Sequence, residues 1–126
     1  MRSLLADMLR FMGYETIEAE TGEQALDKAL SENPDLILMD LAMPGMGGID
    51  VARALKLNPT TARIPIIAQS AWDHKLWKKA ALEAGMVEYL QKPFLPNVLK
   101  DAIEEEAEAH GLKLCKACVD EHTSAG

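Results

Sequence analysis

The chain has 126 residues, of which 48% are hydrophobic and 26% are charged, which is the size and composition of one globular domain with its own core. Its formal net charge of −7 argues against a surface that binds nucleic acid directly. Charged residues interrupt the amino-terminal stretch too early for a signal peptide, and no apolar run approaches the length of a membrane span. We therefore expect a cytoplasmic protein without a membrane partner.

Helical and strand patterns alternate along the chain. The helical segments carry apolar residues three and four positions apart, whereas the strands are short apolar or alternating runs. Thr21 and Gln24 have the spacing of a capping box, and Gly13 and Gly85 stand where helices end. The predicted elements are, in order, helix 4–12, strand 14–20, helix 21–32, strand 36–40, helix 49–57, strand 64–70, helix 73–84, strand 87–91 and a helix from 98.

Two helices carry specific predictions about burial. Helical spacing predicts that the second helix buries Ala25, Leu26, Ala29 and Leu30. It predicts that the last helix buries Val98, Leu99, Ala102 and Ile103, and that the acidic run 104–106 faces solvent.

Short connections between alternating strands and helices predict a parallel sheet with helices on both faces. Parallel strands require a crossover, which is normally helical and right-handed. The expected fold class is therefore α/β, a doubly wound parallel sheet of the flavodoxin-like type.

The stretch from Leu36 to Gly48 is the centre of this pattern. A short apolar run with no helical period ends on Asp40 and meets a proline and three glycines, as a buried strand does where it enters a loop. Ligands and chemistry collect at the carboxyl edge of open parallel sheets. Asp40 is therefore a candidate nucleophile or metal ligand.

Two further strand ends are expected at the same edge. Ser70 ends the strand 64–70, and Lys92 follows the strand 87–91. A lysine beside a carboxylate lowers the carboxylate pKa and neutralises a phosphorylated product, and a hydroxyl can donate a hydrogen bond to a new anion. Together these residues suit acyl-phosphate chemistry at Asp40.

Three sequence segments carry a family resemblance. They are MDLAMPGMGGID around Asp40, IIAQSA around Ser70, and YLQKPF, which contains Tyr89 and Lys92. With them the chain resembles the receiver domain of bacterial two-component response regulators. The resemblance covers residues 1 to about 108, which we take as the domain, with 109–126 as a carboxyl-terminal tail.

The resemblance implies a phosphoryl switch. Asp40 is implied as the phosphoacceptor, Ser70 as the switch hydroxyl, Lys92 as the phosphate contact and Tyr89 as the switch aromatic. A histidine kinase or phosphotransfer protein is implied as the donor, with Mg²⁺ held by Asp40 and the main-chain carbonyl of Ala42. Output is expected through contact with another protein, a homodimer included, without enzyme activity beyond self-catalysed phosphorylation and dephosphorylation.

The sequence departs from this family at its amino terminus. Receiver domains begin with an apolar strand that ends in an acidic pair, which holds the Mg²⁺, whereas this sequence begins at the following helix. Three explanations stay open: a start further upstream, a phosphate-independent pseudo-receiver serving as an assembly or dimerisation module, and a circular permutation.

The permutation hypothesis rests on the sequence of the tail. After Gly111 the chain forms a short, mostly apolar run that ends in Asp120 and Glu121. The last helix is expected to finish where the missing strand should begin, so the tail can supply that central strand and bring both acids to the metal site. The hypothesis predicts residues 114–120 inside the sheet.

Two other features of the sequence are weaker indications of function. His110, Cys115, Cys118 and His122 contain one Cys-x-x-Cys motif, which is more typical of reduced cytosolic thiols than of a zinc site. Trp72 and Trp77 are expected as surface or groove aromatics of the fourth helix.

Overall fold

The computed structural model describes residues 4–41, 47–70, 75–91 and 95–109, and the backbone of residues 116–120. The helices are α1 (Leu4–Phe11), α2 (Gly22–Glu32), α3 (Gly48–Leu57), α4 (Lys75–Glu83) and α5 (Pro96–Ala109). The strands are β1 (Glu15–Ala19), β2 (Leu36–Asp40), β3 (Ile66–Ser70), β4 (Glu88–Gln91) and β5 (Lys116–Asp120). The alternation follows the prediction. The helix α5 begins two residues earlier than predicted, because Pro96 is tolerated in a first helical turn, where its missing N–H has no partner to lose.

Local sequence determines both ends of α2. The Thr21 hydroxyl accepts a hydrogen bond from the Gln24 N–H at 3.1 Å, and the Gln24 side-chain oxygen accepts one from the Glu20 N–H at 3.0 Å. At the other end Asn33 adopts a left-handed conformation, with φ 48°, and its N–H donates to the Ala29 carbonyl. Pro34 then prevents further helix. These caps fix the point at which the chain enters β2.

The five strands form one parallel sheet in the order β1-β5-β2-β3-β4. The strand from the tail, β5, lies between β1 and β2. Its residues 116–120 pair with Glu15–Ala19 of β1, and 117–120 pair with Leu36–Met39 of β2. This is the placement that the permutation hypothesis predicts. Residues 114 and 115 lie outside the described residues, and the domain boundary near 108 stays an interpretation of the sequence.

The helices are divided between the faces of the sheet. The connections through α2, α3 and α4 step along the sheet from β1 towards β4, and residues of these helices pack on one face. The connection through α5 returns from β4 to β5, and α5 packs on the opposite face together with α1. The α5 connection runs in the opposite direction along the sheet and on the opposite face, so it has the same handedness as the other three. All four crossovers therefore share one hand, as parallel strand connections normally do.

Buried side chains of β2 alternate between the two faces. Ile37 and Met39 pack with α2, α3 and α4, whereas Leu36 and Leu38 pack with α1 and α5. All five residues of β2 and all five of β3 are buried. Such burial on both faces is typical of central parallel strands and explains their continuous apolar sequences.

Two predicted core residues are exposed instead. Leu30 is 40% exposed and Val98 is 41% exposed. Leu30 follows the buried Ala29, and Val98 precedes the buried Leu99. Because a helix turns by about 100° per residue, a residue one position away from a buried one points away from the narrow buried stripe. The predictions for Ala25, Ala29, Leu99, Ala102 and Ile103 are confirmed.

Candidate functional site

Four strands end in polar residues at one edge of the sheet, and three of them end in an acidic or hydroxyl residue. Asp40 is the last residue of β2, Ser70 is the last of β3, and Asp120 is the last of β5. Because the strands are parallel and adjacent, their carboxyl ends lie side by side, about 4.8 Å apart from strand to strand. The sequence prediction that Asp40 and Ser70 share this edge is therefore consistent with the topology.

The strand register defines the relative positions of these three residues along the sheet edge. Asp40 pairs with Gln69, so Ser70 lies one position beyond Asp40 along the sheet edge. Asp120 pairs with Met39 on one side and with Ala19 on the other, so β5 ends one position before Asp40. An acidic residue and a hydroxyl residue thus flank Asp40 on its two neighbouring strands.

Asp40 and Ser70 are buried polar residues. Asp40 is 6% exposed and Ser70 is 1% exposed. The Leu41 N–H donates to the Gln69 carbonyl at 3.1 Å, which continues the pairing of β2 with β3 past Asp40. The backbone around Asp40 is therefore held on a rigid strand rather than on a loop, which favours precise positioning of its carboxylate.

Gly48 brings the start of α3 against the end of β2. A Cβ at this position would lie 2.6 Å from the Asp40 carbonyl oxygen and 3.1 Å from the Leu41 Cα. No side chain fits there without movement of the backbone. Sequence reasoning used Gly48 only as a loop signal and missed this role, although its place immediately before the predicted helix 49–57 is visible in the sequence.

Tyr89 lies on β4 and is partly buried against the core beneath α2, α3 and α4. Its Cα partner is Ala68 of β3, which belongs to the same core. Ser70 follows Ala68 by two positions, and residues two apart on a strand share a face. Tyr89 and Ser70 are therefore on the same side of the sheet, on adjacent strands.

Several predicted site residues lie outside the described residues. They are Ala42, Lys92 and Glu121, together with Trp72, His110, Cys115 and His122 of the weaker readings. Trp77 lies on α4 and is 38% exposed, which agrees with its prediction as a surface or groove aromatic.

The described side chains bear on metal binding. Among them, no group of three or more His, Cys, Asp and Glu is placed to hold a metal ion. The strand ends nevertheless carry oxygen donors of the kind that Mg²⁺ prefers, with Asp40 on β2 and Asp120 on the adjacent β5. Carboxylates are a residue type that Mg²⁺ binds, and these two residues stand at adjacent strand ends.

One observation bears on membrane association. Over the part of the chain that the structure describes, no helix has both the length and the apolar character required to span a bilayer.

Comparison with known proteins identifies relatives of this fold. The family model for the response regulator receiver domain matches residues 1–104. The phosphate regulon transcriptional regulatory protein PhoB of Pseudomonas aeruginosa is 41% identical over 99 residues, which are 79% of this chain and 43% of that protein. The polar-differentiation response regulator DivK of Brucella ovis is 38% identical over 90 residues, which are 71% of this chain and 73% of that protein.

A solved structure shows the same fold. It is the receiver domain of the sensor histidine kinase PA1611 from Pseudomonas aeruginosa, with a magnesium ion coordinated in its active site cleft. It is 32% identical to this chain, covers 81% of this chain and 84% of its own, and superposes with a TM-score of 0.76. The matched family model, the identities and the shared parallel sheet together show that the chain belongs to the response regulator receiver domain family.

Proposed function

We propose that this receiver domain accepts a phosphoryl group on Asp40. The observation that carries the proposal is the position of Asp40: a buried carboxylate on the last residue of a central strand, with Ser70 ending the next strand. A histidine kinase or a phosphotransfer protein is the proposed donor, and contact with another protein is the proposed output. We place this exchange in the cytoplasm.

The proposed transfer is a displacement at phosphorus. A carboxylate oxygen of Asp40 attacks the phosphoryl group of a phosphohistidine, the P–O bond forms and the P–N bond breaks. The imidazole leaves with the electron pair and takes up a proton. Hydrolysis of the resulting acyl phosphate by water restores the carboxylate and releases phosphate, which ends the signal.

Each of the other site residues has a proposed part in this step. The Ser70 hydroxyl donates a hydrogen bond to the phosphoryl oxygens, and the Lys92 ammonium neutralises their added charge. Movement of Ser70 towards the phosphoryl group frees space that Tyr89 then occupies. The relative populations of the conformations of the surface around α4 and β4 therefore change. The shared face and adjacent strands of Ser70 and Tyr89 support this coupling.

Mg²⁺ is the proposed metal, and when bound it supplies charge neutralisation between the carboxylates and the incoming phosphoryl oxygens. Asp40, the main-chain carbonyl of Ala42, Asp120 and Glu121 are the proposed ligands. The register supports the inclusion of Asp120, because the end of β5 lies beside Met39, the residue before Asp40. The acidic pair that the family carries after its first strand is thereby proposed to come from the tail.

Labelling with a small acyl-phosphate donor tests the proposal. We expect the intact mass of the protein to rise by one phosphoryl group in the presence of Mg²⁺, and the increase to be lost in Asp40→Asn. Ser70→Ala, which alters a neighbouring strand end without removing the acceptor, should slow labelling and keep its site. Circular dichroism verifies that both variants are folded.

Two outcomes contradict the proposal. Labelling that survives Asp40→Asn would assign the acceptor elsewhere. A folded wild-type chain that takes no label would favour the alternative, a phosphate-independent pseudo-receiver that acts as an assembly or dimerisation module.

A further inference from the structure

An apolar groove lies between α1 and the start of α5. It has a volume of about 390 Å³ and is lined by Asp7, Met8, Phe11, Met12 and Pro96. Met8 and Met12 also pack against the buried residues beneath α1 and α5, so the fold holds both side chains in place. The groove is therefore a fixed feature of this surface.

Phe11 borders the groove and projects from it into solvent. It is 94% exposed, the largest exposed fraction among the large apolar residues that the structure describes. Leu95, which is 66% exposed, and Val98 lie within two residues of Pro96. Apolar side chains exposed singly are ordinary, whereas several together mark a surface that contacts another molecule. The exposed ring and the groove form one such patch.

The α5 side of this patch has a fixed backbone. The Leu95 carbonyl accepts hydrogen bonds from the N–H groups of Val98 at 3.0 Å and Leu99 at 3.3 Å, which form the first turn of the helix. Leu99 is fully buried in the core. The turn that anchors α5 therefore also holds the exposed Leu95 and Val98 in place.

The charge at the groove is balanced within α1. The Asp7 carboxylate accepts from the Arg10 guanidinium at 3.2 Å, and the same guanidinium pairs with Glu18 at 2.9 Å. The whole chain carries a formal net charge of −7, so two copies repel each other at long range. A patch whose acid is already paired adds little to that repulsion, which makes it a favourable place for two copies to meet.

We infer that this patch is the contact between two copies of the chain, with Phe11 of each copy seated in the groove of the other. A two-fold contact requires a surface that is complementary to itself. Here the projecting ring and the apolar groove lie side by side, so one two-fold axis satisfies both copies at once. An unrelated partner would have to supply both a ring and a groove of its own.

The size of the patch sets the strength of the contact. A phenylalanine buries about 150–250 Å² of surface, so two rings and the side chains around them fall near the lower end of specific interfaces, which bury about 1,200 Å² in total. The dimer is therefore weak and forms as the protein concentration rises. It goes beyond the proposed function, since neither Asp40 nor its phosphorylation takes part in the contact.

Sedimentation velocity of the full, unphosphorylated chain tests the inference, over about 10 μM to 1 mM protein. We expect the mean sedimentation coefficient to rise from the monomer value towards the dimer value. Phe11→Glu should raise the dissociation constant about tenfold or more, as expected for a central aromatic anchor. Because Phe11 is almost fully exposed, this variant should fold normally, which circular dichroism verifies.

Leu57→Glu is the matched control. Leu57 is 84% exposed at the end of α3, which packs on the opposite face of the sheet from α1, and the substitution adds the same charge. It should dimerise like the wild type. Equal weakening in both variants would attribute the loss to the added charge and overturn the inference.

Two further outcomes would overturn it. A wild-type chain that stays monomeric throughout would leave the groove to a partner of different sequence, and a dimer that survives Phe11→Glu would place the contact elsewhere. Salt gives an independent measurement. Raising NaCl from about 0.05 to 0.5 M should strengthen dimerisation, because it screens the repulsion between two acidic chains and leaves the apolar contact intact. Weakening by salt would indicate an ionic interface and contradict the inference.

Discussion

Gly48 and the carbonyl of Asp40 are so close that a methyl group on Gly48 would lie 2.6 Å from the carbonyl oxygen. The first turn of α3 therefore rests directly on the end of β2. This contact ties the position of the candidate phosphoacceptor to a helix on the face opposite α1 and α5.

Gly48→Ala tests that relationship. We expect it to lower the free energy of unfolding by about 1–3 kcal/mol, because the overlap is with backbone atoms and must be relieved by moving the helix or the strand. It should also reduce labelling at Asp40 in the protein that remains folded. Urea denaturation and acyl-phosphate labelling measure the two effects. Gly47→Ala is the matched control, since a Cβ there meets only the Asp50 carboxylate at 4.0 Å. Equal effects of both substitutions would contradict the packing argument.

Lys56 holds the connection between α3 and β3. Its Nζ donates to the carbonyl oxygens of Ala62 at 3.0 Å and Ile64 at 2.9 Å, and burial lowers the Lys56 pKa below its usual range. Lys56→Met keeps most of the apolar stem and removes both hydrogen bonds, so we expect a loss of about 1–2 kcal/mol in the free energy of unfolding.

The control for this change lies on the same helix. Arg53→Met removes an exposed ion pair with Asp50 at 3.9 Å and should cost less than about 0.5 kcal/mol. If the two variants were equally stable, the Lys56 hydrogen bonds would have no net effect on stability.

Glu88 at the start of β4 gives a pH-dependent prediction. Burial, and then the negative charges of Glu106 and Glu105 on α5, raise the Glu88 pKa above its ordinary 4.5, against a smaller lowering by Lys78. The folded protein thus holds this proton to a higher pH than the unfolded chain does. The contribution of Glu88 to stability is complete below pH 4.5 and is lost as the pH rises through the raised pKa.

Glu88→Gln should therefore be more stable than the wild type at pH 7, by roughly a few tenths of a kcal/mol, since the side chain is partly exposed and solvent screens its charge. The gain should vanish below pH 4.5, where Glu88 is protonated in both states. Thermal unfolding across this range measures it. Glu15→Gln changes the net charge equally on β1, at the opposite edge of the sheet, and serves as the control. A gain that is independent of pH would contradict the assignment.

The cap of α2 is a test of local structure. Thr21→Ala removes the hydroxyl that accepts from the Gln24 N–H, and we expect a loss of about 1 kcal/mol in the free energy of unfolding. Thr60→Ala, at an exposed position in the connection before β3, should change stability little. Chemical denaturation of the two variants gives the comparison. If Thr21→Ala left the free energy of unfolding unchanged, the cap would have no net effect on stability.

Much of the site was predictable because its signals are local. The apolar runs that end on Asp40 and Ser70 predict strand ends, and parallel strands place such ends at one edge wherever the helices cross over. Caps at Thr21 and Asn33 are likewise interactions between residues a few positions apart. The family segments around Asp40, Ser70 and Tyr89 added roles that the pattern alone left open.

The position of β5 depended on the tertiary structure. A short apolar run such as Lys116–Asp120 reads equally as a disordered tail or as a strand, and only pairing with the distant β1 and β2 decides between them. The close approach of Gly48 to Asp40 and the exposure of Leu30 also follow from how elements pack against one another. The sequence alone determined which residues end the strands, through short-range pattern and capping, whereas the tertiary structure decided which strands are neighbours, because hydrogen bonds between strands join residues far apart in the chain.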